Sequence, residues 1–487
     1  MEFFDSASLL TLSALPRLRR GIGVLAVLLA LTTDAIGSGL THTGQLAAAY
    51  DAILDADFQR VPALLAPVCG TGPGSAPPAV CHVMDVVSRW WELQGDPLNR
   101  QGDAEFERRV NAAINEAEAW TVAEPGTAQA WFYAGAAYSA RVQWRVLRAQ
   151  RLAAARDGKR IKDALERALE LDPGMQDAYF GIGLYHYYAG VAPVAAKMLR
   201  WLLLLPGGDR ELGLREMLRA RDGSQLLRDE ADYQLHTLYV WYEKRPEEAL
   251  GIVRRLAASH AHNPVFAQAA AEIEDVHLSD YASSLRSWQA LLADARAGRV
   301  AWPEMTESRA RLGVATQLDR LAETDLAIEH LRAVLAPGAP SPTGVGAAAK
   351  RRLDEARDRM KSPGYRLSIE GWRALERGDT AAASQALDRS LMLAPADQVT
   401  RYRRARLLLA QHNDAAAIDV LESVIASPGT PPHVYAAACL DAAQVHERLG
   451  DSARAVELYQ LTVAAFGVDP RAKSSAQRAL ARLAKPL

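Results

Sequence analysis

The chain has 487 residues, of which 49% are apolar and 23% are charged, a balance that is ordinary for a soluble globular protein. Its formal charge of −2 gives no reason to expect nucleic-acid binding, which requires a basic surface. Alanine and leucine are abundant and runs of β-branched residues are rare, which favours helix throughout. The length is enough for several domains or for one long array of repeats.

Residues 1–39 have the composition of a targeting segment. Arginines within positions 17–20 precede the apolar run of residues 21–31, which is short for a bilayer span but suits a signal-peptide core. Small residues at 35–37 provide a cleavage site. The segment is interpreted either as a cleaved signal peptide or as a retained N-terminal membrane anchor. Both alternatives predict an exported, extracytoplasmic body, in the periplasm or on the outer side of a membrane.

Two of the three cysteines lie close together in the sequence. Cys69 and Cys81 flank the flexible stretch GTGPGSAPPAV, and a disulfide between them would contribute about 3 kcal/mol through loop entropy. Two unpaired thiols are the alternative, and the spacing is a poor zinc pattern. Cys439 lies in an alanine-rich helical pattern and is interpreted as a buried structural thiol.

Residues 40–126 show helical patterns without a repeat, as is typical of the cap of a repeat array. Helical hairpins begin near residue 127, and the clearest example is 162–186, KDALERALELDPGMQDAYFGIGLYH. There Asp172-Pro173-Gly174 ends one helix, and Asp177 is expected to cap the next. Gly183 has no side chain, so a neighbouring helix can approach it closely. A break at residues 157–158 is expected to divide the preceding helical pattern.

The hairpin pattern resembles that of tetratricopeptide repeats (TPRs). In that family, large, small, small and large residues mark the first helix of each hairpin, and Trp131, Ala134, Gly135 and Tyr138 match it. A second helix is matched by Ile161, Leu165, Ala168 and Pro173. The resemblance implies an all-α solenoid of antiparallel helical hairpins wound into a right-handed superhelix, with the first helices lining its inner wall.

The repeats are predicted to form two arrays. Residues 127–335 form a divergent array with an apolar insertion at 190–208, which is too short to span a bilayer. The insertion is interpreted as a buried core helix or as an interfacial, ligand-facing helix. Proline and glycine mark residues 336–346 as a linker, and residues 347–487 form a regular C-terminal array with a closing helix.

Within the divergent array, residues 163–266 resemble the inclusion-body-clearance TPR family. The likeness consists of an apolar segment, a Gly-Asp-Arg followed by a Gly-Leu helix, and the sequence YEKRPEEAL. Proteins of that family are associated with mitochondrial outer membranes and lipid droplets. The resemblance implies the same helical fold and proximity to lipid, without implying the same partner.

The sequence contains no catalytic constellation. Gly-x-Ser-x-Gly, a phosphate loop and His-Glu-x-x-His are all absent from it. His260 and His262 lack a matched third ligand and are interpreted as surface histidines, and His186 occupies a packing position. The sequence therefore predicts a protein that is not an enzyme and that uses no metal or cofactor.

Binding to the inner wall of the solenoid is the stronger hypothesis. An aromatic wall suits an extended peptide, an apolar helix or a lipid chain, while core packing is the alternative for each residue. The predicted wall residues are Phe132, Tyr133, Phe180, Leu184, Tyr187, Tyr188, Trp372, Tyr402 and Arg406. The residues predicted to contact lipid are Met198, Trp201, Leu202 and Leu203.

One known mode of TPR binding is excluded by the sequence. Chaperone-tail-binding TPR proteins clamp a terminal carboxylate with lysine and asparagine, but no asparagine follows the marker glycines here. The sequence predicts a non-catalytic TPR scaffold for protein–protein interaction in the cell envelope, with no nucleic-acid partner. The alternative is a TPR protein that binds an apolar ligand or a membrane surface.

Overall fold

The computed structural model describes residues 39–70, 72–191 and 207–484. Throughout these ranges the chain forms helices joined by turns and loops, without a strand. The predicted targeting segment and most of the apolar insertion lie outside the described residues. The same holds for all four predicted lipid-contact residues, Met198, Trp201, Leu202 and Leu203.

The helices are grouped by the ranges of the predicted cap and the two predicted arrays. The cap contains α1 (Thr43–Leu54), α2 (Val61–Leu65), α3 (Pro78–Leu93) and α4 (Asp103–Ala123). The divergent array contains α5 (Ala128–Leu147), α6 (Arg151–Leu171), α7 (Ala178–Val191), α8 (Arg210–Gly223), α9 (Arg228–Leu238), α10 (Pro246–Ser259), α11 (Pro264–Glu272), α12 (Tyr281–Arg296), α13 (Pro303–Arg320) and α14 (Thr324–Val334). The C-terminal array contains α15 (Val345–Met360), α16 (Pro363–Glu376), α17 (Thr380–Leu393), α18 (Gln398–Ala410), α19 (Asp414–Ala426), α20 (Pro432–Arg448), α21 (Ser452–Ala464) and α22 (Pro470–Leu483).

Consecutive helices pack against one another along the described chain, so the predicted all-α array of helical hairpins is confirmed. Alternate helices also touch in the C-terminal array, where α16 contacts α18 and α18 contacts α20. Such contacts are expected where hairpins stack in series.

The turns inside the C-terminal hairpins share one construction. Gly378 and Gly450 adopt left-handed backbone conformations, with φ of 79° and 85°, that end the first helix of each hairpin. Asp379 then accepts a hydrogen bond from the backbone N–H of Ala382, which caps the second helix. Asp451 caps α21 in the same way. At these positions glycine therefore ends the first helix and the following aspartate caps the second.

The predicted marker glycines set the spacing of paired helices. A Cβ atom on Gly135 would lie 2.6 Å from Cδ2 of Leu165, which belongs to the next helix. On Gly371 it would lie 2.7 Å from Cγ of Leu387. Both distances are below van der Waals contact, so only glycine allows these helices to approach as closely as they do.

The structure contradicts the predicted helix break at residues 157–158. Helix α6 runs unbroken through these positions, because Asp157 is neutralised by the preceding helix. Its carboxylate accepts hydrogen bonds from Arg141 at 2.8 Å and forms an ion pair with Arg145. Only 2% of Asp157 is exposed, so the ion pair lies inside the hairpin of α5 and α6.

The cap makes contacts with residues far along the chain. The backbone N–H of His262 donates to Oδ1 of Asp55 at 3.0 Å, and Nδ2 of Asn263 donates to the carbonyl of Leu54 at 2.7 Å. One hydrophobic core accordingly runs from Leu40 in the cap to residue 273 in the array. The cap and the first half of the divergent array thus form a single folded body.

Two further contacts join distant parts of the chain. The carboxylate of Asp96, after α3, accepts hydrogen bonds from the backbone N–H and the hydroxyl of Thr343 at 3.1 and 2.9 Å. Thr343 lies within the predicted linker 336–346, so this loop is tied to the cap. Arg286 of α12 forms a bidentate pair with Asp469, at 3.0 Å for each bond, just before α22.

Candidate functional site

A cavity of about 60 Å³ lies where the cap meets the first hairpins of the divergent array. Its walls come from α1, α3, α5, α6, the start of α7, and the turn before α9 with the start of that helix, and they are mainly apolar. Six aromatic side chains line it: Tyr50, Trp90, Trp91, Phe132, Tyr133 and Phe180. We refer to this cavity as the cap pocket.

The aromatic walls are held by ring contacts within the core. Trp91 of α3 packs against Tyr233 and Phe266, with ring centroids 5.1 and 5.6 Å apart. Phe132 and Tyr133 meet edge to face at 5.1 Å. Such pairs add to the stability that burial itself provides, so the wall of the pocket is rigidly placed.

Asp177 supplies one of two carboxylates in the pocket. The sequence predicted that it caps α7, but its side chain instead accepts backbone N–H bonds from the turn before α9. The donors are Gln225, Leu226 and Leu227, at 3.0, 2.8 and 3.0 Å. Asp177 therefore joins two hairpins of the array. The three backbone donors satisfy its carboxylate without a ligand.

Glu230, in the first turn of α9, supplies the second carboxylate and is only 3% exposed. Its Oε2 accepts hydrogen bonds from the Tyr50 hydroxyl at 3.2 Å and from Nε1 of Trp91 at 3.1 Å. Its Oε1 is buried without a hydrogen-bond partner among the described residues. Burial raises the pKa of Glu230, against the opposing effect of the Trp91, Gln234 and Tyr50 side chains.

The predicted wall residues of the first hairpins lie in this core. Phe132, Tyr133 and Phe180 are buried in the cap pocket, and Leu184 is half-buried against the same core. Tyr187 is fully buried. The chain's own cap therefore covers the face of the array on which these residues lie, a role that the sequence did not assign to residues 40–126.

The predicted wall residues of the C-terminal array make internal contacts as well. The guanidinium of Arg403 lies 5.6 Å from the centre of the Trp372 ring. The Tyr402 hydroxyl donates to Asp441 at 2.9 Å, and Arg406 donates to the same carboxylate at 3.2 Å. These contacts join α16, α18 and α20, and they bring Tyr402 and Arg406 together but not Trp372.

A second candidate site is an exposed aromatic patch, made of Tyr188, Trp241, Tyr242, Val276 and His277. Trp241, Tyr242 and Val276 are 58%, 42% and 60% exposed. The rings of Tyr188 and Tyr242 lie 5.7 Å apart, and those of Trp241 and His277 meet at right angles at 4.8 Å. Of the predicted wall residues, Tyr188 belongs to this patch.

Two π-helical turns present the patch. Helices α9 and α11 continue as π-helices, Tyr239–Glu243 and Ile273–His277, in which an inserted residue shifts the side chains that follow. Each turn is followed closely by a non-glycine residue in the left-handed region, Lys244 at φ 57° and Ser279 at φ 51°. Sequence periodicity gave no signal for these turns, because each insertion is a single residue inside a helical pattern.

The first π-turn is held in place by contacts with α7 and α8. The Tyr187 hydroxyl donates to Glu243 at the end of the turn, and Arg210 of α8 pairs with the same carboxylate. Tyr187 also touches Tyr242 at 5.8 Å between ring centroids. The predicted wall residue Tyr187 thus supports the patch from the core instead of facing a partner.

The histidines take structural positions. His260 was predicted at the surface, but the structure buries it. Its Nε2 lies 2.8 Å from the Asp229 carboxylate, which gives the buried ring a polar partner. His262 bonds to Asp55 of the cap. Within the described residues no group of histidine, cysteine or acidic side chains has the geometry of a metal site.

The cysteines are arranged as a pair and a single thiol. Cys69 and Cys81 form a disulfide that links the loop after α2 to α3. Cys439 is buried in α20, and burial raises its pKa to about 11. Among the described helices none is long and apolar enough to cross a membrane.

No protein-family model matches the chain, and no curated protein is similar to it. Solved structures that resemble it include the P58(IPK) TPR domain, 11% identical over 83% of this chain and 99% of that one, with a TM-score of 0.27. Yeast Tom70 is 12% identical over 82% and 96%, with a TM-score of 0.26. A Rap protein complexed with competence and sporulation factor is 13% identical over 90% and 98%, with a TM-score of 0.34.

These low TM-scores add nothing to the architecture seen in the chain itself. That architecture is an all-α array of serially packed helical hairpins, spaced by marker glycines, and it resembles the TPR class. The more specific likeness of residues 163–266 to the inclusion-body-clearance family stays a prediction.

Proposed function

We propose that the protein is a non-catalytic interaction scaffold of the cell envelope, which binds a protein partner at the aromatic patch. The observation that carries the proposal is the exposure of Trp241, Tyr242 and Val276 on neighbouring hairpins. Tryptophan and tyrosine are enriched in protein interfaces, where they act as binding hot spots.

The charge beside the patch indicates the chemistry of the partner. Lys244 is exposed, and its Nζ donates to the carbonyl of Trp241 at 2.9 Å without an ion pair among the described residues. Burial, and to a smaller extent the charge of Lys244, lowers the pKa of His277. A segment with apolar side chains and a neighbouring carboxylate would complement both the rings and the lysine.

Site-specific cross-linking tests this assignment. A photoreactive amino acid is placed at Tyr242, and in a separate variant at Phe466, an aromatic residue that is 65% exposed and lies outside the patch. Both proteins are irradiated in an envelope extract, and the products are identified by mass spectrometry. We expect one defined protein to be attached at position 242 and not at position 466.

The purified partner then provides a quantitative test. Trp241→Ala with Tyr242→Ala should weaken its binding at least about thirtyfold, the effect of a single strong hot spot. Phe466→Ala should leave the affinity unchanged. Equal cross-linking at both positions, or an affinity that the double variant retains, would contradict the proposal.

A membrane surface is the competing occupant of the patch. Tyr188 lies on α7, which ends at Val191, where the apolar insertion begins. Lipid recovered at position 242, together with flotation on vesicles that the double variant abolishes, would replace the protein partner with a bilayer. Recovery of protein without flotation supports the scaffold.

The envelope location is supported by two features. The basic and apolar sequence of residues 1–39 has the order of an export signal, and the Cys69–Cys81 disulfide suits an oxidising compartment. A fusion of residues 1–45 to a reporter that is active only after export tests the location. An inactive fusion would contradict the envelope location and would not affect the proposed binding at the aromatic patch.

A further inference from the structure

The cap pocket contains acidic groups without a basic partner. Two carboxylates, Asp177 and Glu230, line it, and no lysine, arginine or histidine is among its described lining residues. Buried acidic groups in proteins are normally paired with a base, a metal or a full set of hydrogen-bond donors. Asp177 has such a set from the backbone, but Glu230 does not.

Two polar atoms in the pocket are left open. Oε1 of Glu230 and the hydroxyl of Tyr133 are both buried and have no hydrogen-bond partner among the described residues. Both side chains line the cavity, and each is at most 3% exposed. A ligand that donates hydrogen bonds or carries positive charge would satisfy them where the protein itself does not.

The apolar part of the lining is also suited to a cation. Aromatic faces attract ammonium groups through their quadrupole, most strongly where water is excluded. Six aromatic side chains surround the cavity, and Trp90 at its edge is only half-buried. The volume of about 60 Å³ exceeds that of one water molecule and admits a group of two heavy atoms such as methylammonium.

We propose that the cap pocket binds a small organic cation, a primary or methylated ammonium group, with Glu230 as its counter-ion and the aromatic side chains as its cage. An anion is excluded by the two carboxylates, and a neutral apolar ligand would leave Oε1 of Glu230 without a partner. The pocket shares no residue with the aromatic patch, so this proposal stands apart from the proposed function.

Calorimetric titration of the full chain with methylammonium at constant ionic strength tests the proposal. The decisive comparison is between methylammonium and methanol, an uncharged molecule of the same size. We expect methylammonium to bind at least about tenfold more tightly, because only the cation gains the ion pair and the aromatic faces. The change in tryptophan fluorescence should follow the same isotherm.

Glu230→Gln provides the variant test, since glutamine can still accept bonds from Tyr50 and Trp91 while the charge is lost. The affinity for methylammonium should fall at least about tenfold, the cost of a charged hydrogen bond in a buried site. The matched control is Glu247→Gln, at an exposed position in the first turn of α10, which should change nothing.

Three outcomes would overturn the proposal: no saturable binding of methylammonium, equal binding of methylammonium and methanol, or equal effects of the two glutamine variants. If Glu230→Gln does not fold, the comparison of methylammonium with methanol on the wild-type protein still decides, because it requires no substitution.

Discussion

Glu230 is the residue whose environment departs most from what its type prefers. A carboxylate at the first turn of a helix is favoured by the helix dipole. In the fold the same position is closed by Tyr50 and Trp91 of the cap, so the group loses its water. Burial then favours the protonated form and raises the pKa.

The raised pKa predicts a pH-dependent stability. The ordinary glutamate value is 4.5, and in the folded state the pKa is higher, so folding takes up a proton between the two values. The stabilising contribution is fully present below the ordinary value and is lost as pH rises through the folded value. Glu230→Gln should therefore gain stability relative to wild type as pH rises above the ordinary value of 4.5. Urea unfolding across this range measures the difference, and parallel curves would refute the prediction.

Glycine at a helix crossing gives a second prediction. A Cβ atom on Gly213 would collide with the backbone at Tyr187, which cannot move without shifting α7. Gly213→Ala should lower the free energy of unfolding by about 3 kcal/mol, as overpacking does in a tight core. Gly251→Ala is the control: it has open space in α10 and should stabilise the protein by about 0.5–1 kcal/mol. Equal effects in a denaturant titration would contradict the close approach.

At the scale of single residues, the sequence predicted those roles that depend only on residues nearby in the chain. Gly135 was recognised by its spacing in the hairpin pattern, and the end of α6 was recognised by Asp172-Pro173-Gly174. Asp177 was assigned to the wrong helix, because its partners begin at Gln225, 48 residues away. The open oxygen of Glu230 could not be anticipated for the same reason, since Tyr50 and Trp91 belong to the cap.

Among the elements, the hairpin of α5 and α6 depends on a buried ion pair. Asp157 is shared by Arg141 and Arg145, and the pair explains why α6 continues through a residue and a glycine that would otherwise end it. Asp157→Asn should cost about 3–5 kcal/mol, because two guanidinium groups would keep their burial and lose their counter-charge. Thermal unfolding measures this. A shift no larger than that of the exposed control Asp163→Asn would show that the pair is not important.

The disulfide is the second element-scale feature that can be tested. Reduction of Cys69–Cys81 should lower the free energy of unfolding by about 3 kcal/mol, since it releases a short closed loop in the unfolded chain. Cys69→Ser with Cys81→Ser should reproduce the effect, and reductant should then have no further effect. Because Cys439 is a free thiol, Cys439→Ala keeps the response to reductant. An equal stability with and without reductant would argue against the bond.

The element boundaries were largely predictable from proline, glycine and acidic residues, whereas the π-turns were not. A π-turn changes one hydrogen-bond step, from which the sequence pattern recovers at once. The π-turn changes the direction of the side chains, and Trp241 and Tyr242 lie at the surface as a result. The repeat register of the sequence does not predict that direction.

In the whole molecule, a pair of residues joins α12 to the start of α22. Arg286 and Asp469 are each about one-third exposed, so their bidentate pair should be worth about 1 kcal/mol. A double-mutant cycle with Arg286→Ala and Asp469→Asn measures it, and asparagine preserves the cap of α22. We expect the coupling to fall in high salt. Additive single effects would show that this contact does not contribute to stability.

The cap has a consequence for the order in which the chain can fold. Most hairpins touch only their neighbours, so each can form soon after its own residues leave the ribosome. The helices of the cap emerge before the arrays, yet Asp55 needs His262, Trp91 needs Glu230 and Asp96 needs Thr343 to complete their contacts. The cap is thus synthesised before its partners, and until they emerge its tryptophans remain exposed to water.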